Sequence, residues 1–154
     1  MTIQFDDRDR KILESLQRDS RISNADLAEK VDMSASALWR RVRTFEDQGL
    51  IARYGAVLDP EVAGLSFQAI VHVQLTRHDS EKLDEFVQAI QSRKEVLECF
   101  ATTGQADYHM RVICTDLKAY NDFLENFLFR MAAVESAQTN VILRAIKKEA
   151  AIIL

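Results

Sequence analysis

Ser34-Ala35-Ser36-Ala37-Leu38-Trp39-Arg40-Arg41-Val42-Arg43-Thr44-Phe45-Glu46-Asp47-Gln48-Gly49 is the most informative run in the chain. Ser34 is a natural N-cap, because its hydroxyl accepts from the free N–H groups of a first helical turn. Leu38, Val42 and Phe45 recur at i, i+4 and i+7, the apolar stripe of a helix, and Gly49 supplies the C′ residue. The spacing predicts a helix over about 35–48. Before it, Ser23-Asn24-Ala25-Asp26 has the Ser-x-x-acid form of a capping box. Leu27, Ala28 and Val31 form the buried side of the short helix that follows, ending near Val31. Earlier still, Asp6, Asp7 and Asp9 put negative charge in an opening turn, where the helix dipole favours it, ahead of an apolar stripe of Ile12, Leu13 and Leu16. That helix spans roughly 7–18. After Gly49, Leu50 to Leu58 offers two short β-prone pieces hinged at Gly55, the size of a small wing.

The only proline, Pro60, marks a change of pattern, and the domain boundary is placed there, giving domains 1–60 and 61–154. Phe67, Ala69, Val71, Val73 and Leu75 alternate with Gln68, Ile70, His72 and Gln74, the period of a strand. Ser80 opens a helix carrying Leu83, Phe86, Val87 and Ile90. A second strand is expected over Glu95–Thr103 and a turn at Gly104-Gln105-Ala106. A third strand follows over Tyr108–Cys114, then a helix capped by Thr115 or Asp116, then a fourth strand over about Val134–Ile146. The order β-α-β-β-α-β is that of the ferredoxin-like split motif. The expected class is α+β: a three-helix winged helix-turn-helix followed by a ferredoxin-like βαββαβ domain.

The chain has 154 residues, 47% of them apolar and 29% charged, which excludes a disordered chain. No apolar run approaches the ~18 residues of a membrane span, and the acidic opening Met1–Asp7 is non-secretory, so a cytoplasmic protein without membrane contact is expected. Cys99 and Cys114 match no disulfide framework, zinc site or redox pair and read as buried free thiols. No catalytic Ser/His/Asp arrangement, Gly-rich phosphate loop, metal-ligand cluster or cofactor motif is present. The net charge of −4 argues at face value against a polyanionic partner. Split at the boundary, residues 1–60 carry 10 Lys+Arg against 11 Asp+Glu, and residues 61–154 carry 10 against 13.

Charge is informative on a smaller scale. A helix-turn-helix inserts its second helix of the motif into the major groove. Opposite Leu38, Val42 and Phe45 lie Ser36, Arg40 and Arg43, with Arg41 and Trp39 on the flanks. Residues 34–43 hold three arginines and no acid. Arginine reads guanine or clamps phosphate, Ser34 and Ser36 suit phosphate at a helix N-terminus, and Arg53 on the wing reaches toward an adjacent backbone. The plain alternative is a solvated helix face, with Trp39 as partly buried packing.

Several spaced motifs together resemble a known family. Asp6 through Leu13, Gln17 through Ser23, Asp26-Leu27-Ala28, Ser34 through Arg43, Gly49-Leu50-Ile51 and Tyr54 resemble the winged helix-turn-helix of the Lrp/AsnC transcription regulators. Gly104-x-x-Asp107-Tyr108 resembles that family's effector-domain signature. Asp32 stands where the family commonly has a turn glycine, Ala35 where it often has proline, and Phe45 where it usually has leucine. The resemblance implies double-stranded DNA as a partner, a homodimer assembling to a tetramer or octamer, and a free amino acid as effector. The bare sheet face of Gln68, Ile70, His72, Gln74, His109, Arg111, Ile113, Asn140 and Ile142 suits a second copy of the chain.

The resemblance also implies effector binding at Gly104, Gln105, Asp107 and Tyr108, with Thr102 and Thr139 as hydroxyl donors. On spacing alone, Gly104–Tyr108 reads first as a hairpin turn pinned by Asp107, and it is the resemblance that makes it an effector loop. Gln105 replaces a frequent acid and Ala106 a frequent aromatic, so a larger or less common amino acid is the expected effector. Some proteins resembling this family act instead on tetrapyrroles through histidines. Of His72, His78 and His109, the pair His72 and His109 share the bare face, which makes them the candidates for such an enzyme.

Overall fold

The computed structural model describes residues 4–76, 80–148 and 151–152. The chain divides into two compact units, one running up to Val57 and including the segment from Lys147 onward, the other Leu58–Ile146.

In the first unit, α1 spans Asp7–Arg18, α2 Asn24–Lys30 and α3 Ala35–Asp47. Each begins on a side chain that accepts from a free first-turn N–H. At α1 the cap is reciprocal: the Asp6 carboxylate accepts from the Asp9 N–H at 2.8 Å, and the Asp9 carboxylate accepts from the Asp6 N–H at 3.0 Å. Ser23 caps α2 by accepting from the Asp26 N–H, and Ser34 caps α3 by accepting from the Ala37 N–H. The turn between α2 and α3 passes through Asp32 at φ 53°, a conformation aspartate tolerates better than most residues. Ile12, Leu13, Leu27, Ala28, Val31, Leu38 and Phe45 close one core. α2 and α3 therefore share their apolar sides and leave the outer face of α3 in water. The expected β-pieces of the wing do not form: residues 52–58 are exposed and carry no strand. A hairpin this short needs an apolar face to bury, and Val57, at 96% exposure, has none.

In the second unit, β1 spans Phe67–Leu75, α4 Ser80–Ser92, β2 Val96–Ala101, β3 Tyr108–Cys114, α5 Leu117–Asn126 and β4 Val134–Val141. A single 3₁₀ turn, Leu128–Arg130, follows α5. The four strands form one antiparallel sheet in the order β2-β3-β1-β4. Ala69, Val71 and Val73 of β1 and Met110 and Val112 of β3 pack with Phe86 and Ile90 of α4 and with Tyr120 and Phe123 of α5. The alternate residues of the strands make the other face.

The fourth strand ends short of Ile146 because its partner runs out. Val141 pairs with Ala69, and one further ladder bond joins the Ile142 N–H to the Gln68 carbonyl at 2.9 Å, one residue from the start of β1. Beyond it, Leu143 is 93% exposed. The second strand is shorter than expected at both ends, and its register with β3 shifts between Val96 and Glu98. Cys114 is buried, Cys99 half-buried, and neither is in a disulfide; burial pushes both thiols up, so they stay protonated at neutral pH.

Phe86 is fully buried, its ring 5.0 Å from that of Tyr108. Phe86→Ala should cost about 3–5 kcal/mol, read as a lowered urea midpoint. Leu143→Ala, in water, should change stability by no more than about 0.5 kcal/mol.

Candidate nucleic-acid interface and ligand loop

Ser36, Trp39, Arg40 and Arg43 fall at i, i+3, i+4 and i+7 of α3, and all four are exposed, as is Ser34 at the cap. Arg40 donates from Nε to the Ser36 carbonyl at 3.4 Å, which lays its stem along the helix. Arg43 is held loosely by its own helix, with Nε 3.2 Å from Asp47 and a terminal nitrogen 3.4 Å from Glu46. Exposed pairs of this kind contribute about 0–1 kcal/mol, little enough to be exchanged for a phosphate. Trp39 is 57% exposed, so its indole belongs to this surface rather than to the core. Arg53 is exposed on the irregular segment after α3.

Arg41 is placed differently from the other two arginines. It lies about 100° round the helix from Arg40, and one terminal nitrogen sits 2.5 Å from Asp6 and 2.6 Å from Asp9. Counted with the DNA-facing residues on sequence, it is instead paired with the capping box of α1. Hydrogen bonding from Arg41 chiefly, then the Asp9 N–H, holds the Asp6 carboxyl below its ordinary 3.8, and the two carboxylates raise Arg41. Tyr54, another contact absent from the sequence expectations, donates its hydroxyl to Glu46 at 3.0 Å. Burial first and Glu46 second push its pKa up to about 12.

The β2–β3 connection is a hairpin pinned by Asp107. Its carboxylate accepts from the Leu75 N–H at 2.8 Å, its own N–H donates to the Val73 carbonyl at 3.0 Å, and its carbonyl accepts from the Thr102 N–H at 2.9 Å. Gly104 takes φ 128°, outside the range most side chains adopt. Gln74 donates from its amide to the Gln105 carbonyl at 2.7 Å, tying the loop tip to β1. Thr102, Gly104 and Gln105 are exposed at this tip, whereas Ala106 is buried.

Two of the expected effector residues are elsewhere. Tyr108 turns to the helix-covered side, against Phe86, and burial raises its hydroxyl pKa. Thr139 pairs in register with Val71, a core position, and its hydroxyl is 2.6 Å from that of the buried Tyr120. The period of two puts both side chains on the side of the sheet that the helices cover, away from the open face.

On the open face, His72 and His109 are register partners with rings 4.4 Å apart, edge to face. Asn140 Nδ2 lies 2.9 Å from His72 Nε2, and Thr102 Oγ1 lies 2.8 Å from His109 Nδ1. Thr102 Oγ1 also donates to the Ala106 carbonyl at 3.2 Å, leaving it to accept from His109. Both imidazoles are thus partnered by neutral groups. His78 lies outside the described residues. Among those described, no three His, Cys, Asp or Glu side chains are grouped to hold a metal ion, and no helix is long and apolar enough to cross a membrane.

A helix-turn-helix with an outward arginine face, followed by a ferredoxin-like unit, defines a two-part DNA-binding regulator. A winged helix-turn-helix DNA-binding family matches residues 5–52, and the Lrp/AsnC ligand binding domain matches residues 68–152. The chain belongs to the Lrp/AsnC family of transcription regulators. It is 36% identical to a leucine-responsive regulatory protein of Haemophilus influenzae over 91% of this chain and 84% of that one. The protein of that name in Escherichia coli K12 is 34% identical over 91% and 85%. Among solved structures, a transcriptional regulator of Neisseria meningitidis in complex with L-Met superposes with a TM-score of 0.93 at 34% identity, covering 97% of this chain and 96% of that one. An AsnC family regulator of Agrobacterium tumefaciens superposes with a TM-score of 0.90 at 32% identity, over 96% of each chain.

Asp6 has a depressed folded-state pKa, so its contribution to stability is present above 3.8 and lost as pH falls through the folded value. Arg41→Ala should therefore lower the melting temperature at neutral pH by an amount that shrinks below about pH 4. Melts of both proteins from pH 7 to pH 2.5 check this.

Proposed function

We propose that this protein binds double-stranded DNA through the Ser36, Trp39, Arg40 and Arg43 face of α3, and that an amino acid bound at the 102–107 loop alters that binding. The observation that carries the first part is the exposed face itself, two arginines and a serine on a helix whose opposite side is buried in a core. Ser34 at the helix N-terminus suits a phosphate, and Arg53 a neighbouring backbone position. Arg41 is left out of this set, because its short ion pairs tie it to the cap of α1, whereas the looser pairs of Arg43 lie within its own helix. The protein acts as a cytoplasmic regulator and not as an enzyme. His72 and His109 belong to a sheet face that a second copy covers.

The effector part rests on the hairpin tip. Thr102, Gly104 and Gln105 surround an exposed backbone suited to a carboxylate, and one Asp107 oxygen is already committed to Leu75. Tyr108 and Thr139 contribute behind the sheet, as supports for the strands that carry the loop. The L-Met complex of the Neisseria relative makes methionine the first amino acid to try, and it fits the expectation of a larger side chain at Ala106. Dimerisation places two α3 helices on one duplex, and further assembly to tetramers or octamers multiplies a small number of contacts per subunit.

Arg40→Ala and Arg43→Ala should each weaken duplex binding and reduce the slope of log affinity against log salt by about one, with the far-ultraviolet circular dichroism unchanged. Unchanged affinity would remove them from the DNA surface. In a thermal-shift screen of the twenty amino acids, stabilisation of about 2–3 kcal/mol is expected at a hundredfold excess over Kd, and Gly104→Thr should abolish it. Stabilisation by small amino acids alone would contradict the assignment of a larger effector.

A further inference from the structure

We propose that Arg41 is a positioning residue for DNA reading: with Asp6 and Asp9 it ties α3 to the N-terminal cap of α1 and so sets the direction in which Ser36, Trp39, Arg40 and Arg43 point. The inference rests on the DNA-binding reading of α3 and assigns a different task to a residue of the same helix.

The packing side of α3 restrains its distance from the core more than its rotation. Leu38 and Phe45 are buried, but Val42 between them is only half-buried, and apolar contact has no preferred direction. Arg41 supplies the direction. Its single contacting nitrogen reaches both carboxylates, across separations of 35 and 32 residues. Those carboxylates are themselves fixed, because Asp6 and Asp9 each cap the other's backbone N–H. Arg41 is therefore fastened to a rigid pair of acceptors rather than to a mobile surface acid, and Asp9 is buried to 7% exposure. At the far end of α3, the Tyr54 hydroxyl holds Glu46. The helix is thus restrained by polar contacts at its middle, through Arg41, and near its C-terminal end, through Glu46, which also faces Arg43.

Pairing geometry separates this task from a phosphate contact. Arg43 also faces two carboxylates, but at 3.2 and 3.4 Å on the exposed surface of its own helix, whereas Arg41 is held at 2.5 and 2.6 Å by two acids of another helix, one of them buried, and is not free to turn to a phosphate. Base-edge contacts demand an accurately aimed side chain, whereas attraction to the backbone tolerates rotation. Loss of Arg41 should thus remove discrimination between sequences and leave general affinity for DNA.

The test uses the full-length protein, a duplex enriched by the wild type from a random-sequence library, and a scrambled duplex of the same composition, at several KCl concentrations and well below every variant's melting temperature. Arg41→Ala and Asp9→Asn should each weaken the enriched duplex tenfold or more, leave the scrambled duplex within twofold, and leave the salt slope unchanged. The double variant should be no weaker than Arg41→Ala, because the two residues act through one contact. Arg41→Lys, and Asp6→Asn at an exposed carboxylate, give milder versions that keep the fold. Equal weakening on both duplexes with a slope lower by about one would make Arg41 a phosphate contact and overturn the proposal. Unchanged affinities with only a lowered melting temperature would overturn it as well, leaving a purely structural ion pair. A wild type that enriches no duplex would overturn the DNA-binding reading and this inference with it.

Discussion

The ion pair of Arg41 with Asp6 and Asp9 is the contact on which the rest of the first unit turns. It joins the cap of the first helix to the middle of the third, and it is made by groups whose positions are already set by the backbone. Without it, the three helices would be held by apolar packing alone, a core of seven buried side chains with seven partly buried ones around it. Such a core stabilises a bundle but leaves small rotations of α3 nearly equal in energy. A helix that presents four side chains to a groove needs more than that.

The second unit follows a different constraint. An antiparallel sheet with two helices buries one face and leaves the other in water. Tyr108 and Thr139 lie on the covered side, packed against Phe86 and hydrogen-bonded to Tyr120, while the tip of the 102–107 loop is left exposed. Asp107 mediates between the two roles. Its three hydrogen bonds close the hairpin, hold β1 against β3, and leave a short exposed tip at Gly104 and Gln105. A loop this firmly pinned is a pre-organised surface, which lowers the ordering cost of any ligand that takes it.

Much of this was legible in the chain. Apolar spacing at three and four residues found all three helices of the first unit, and alternation found β1 and β3 to the residue. The caps Ser23 and Ser34 were legible because capping is a local matter; for α5 the sequence left Thr115 or Asp116, and it is the Asp116 carboxylate that accepts from the Ala119 N–H, at 2.8 Å. The misplacements share one cause: they depend on which groups meet across the fold. Arg41 sits between Arg40 and Arg43 in sequence, and only the position of α1 shows that it is neutralised. Thr139 sits beside Asn140, and only the register against β1 puts one behind the sheet and the other in front. The wing failed as a strand pair because β-prone residues need a partner, and the fourth strand stopped early because β1 ended. Total charge misled in a similar way. A net charge of −4 averages over acids that cap helices and pair with Arg41, and it conceals the run Ser34–Arg43, which carries three arginines and no acid.

On the proposed function, the outer face of α3 enters the major groove, twice per dimer. Dimethyl sulfate footprinting of the enriched duplex reads this from the DNA side, because it reports guanine N7 in the major groove separately from adenine N3 in the minor groove. Protection of guanine N7 in two patches about one helical turn apart, with adenine N3 between them still reactive, is the predicted result. Protection confined to adenine N3, or no protection under conditions where the duplex is fully bound, would contradict it.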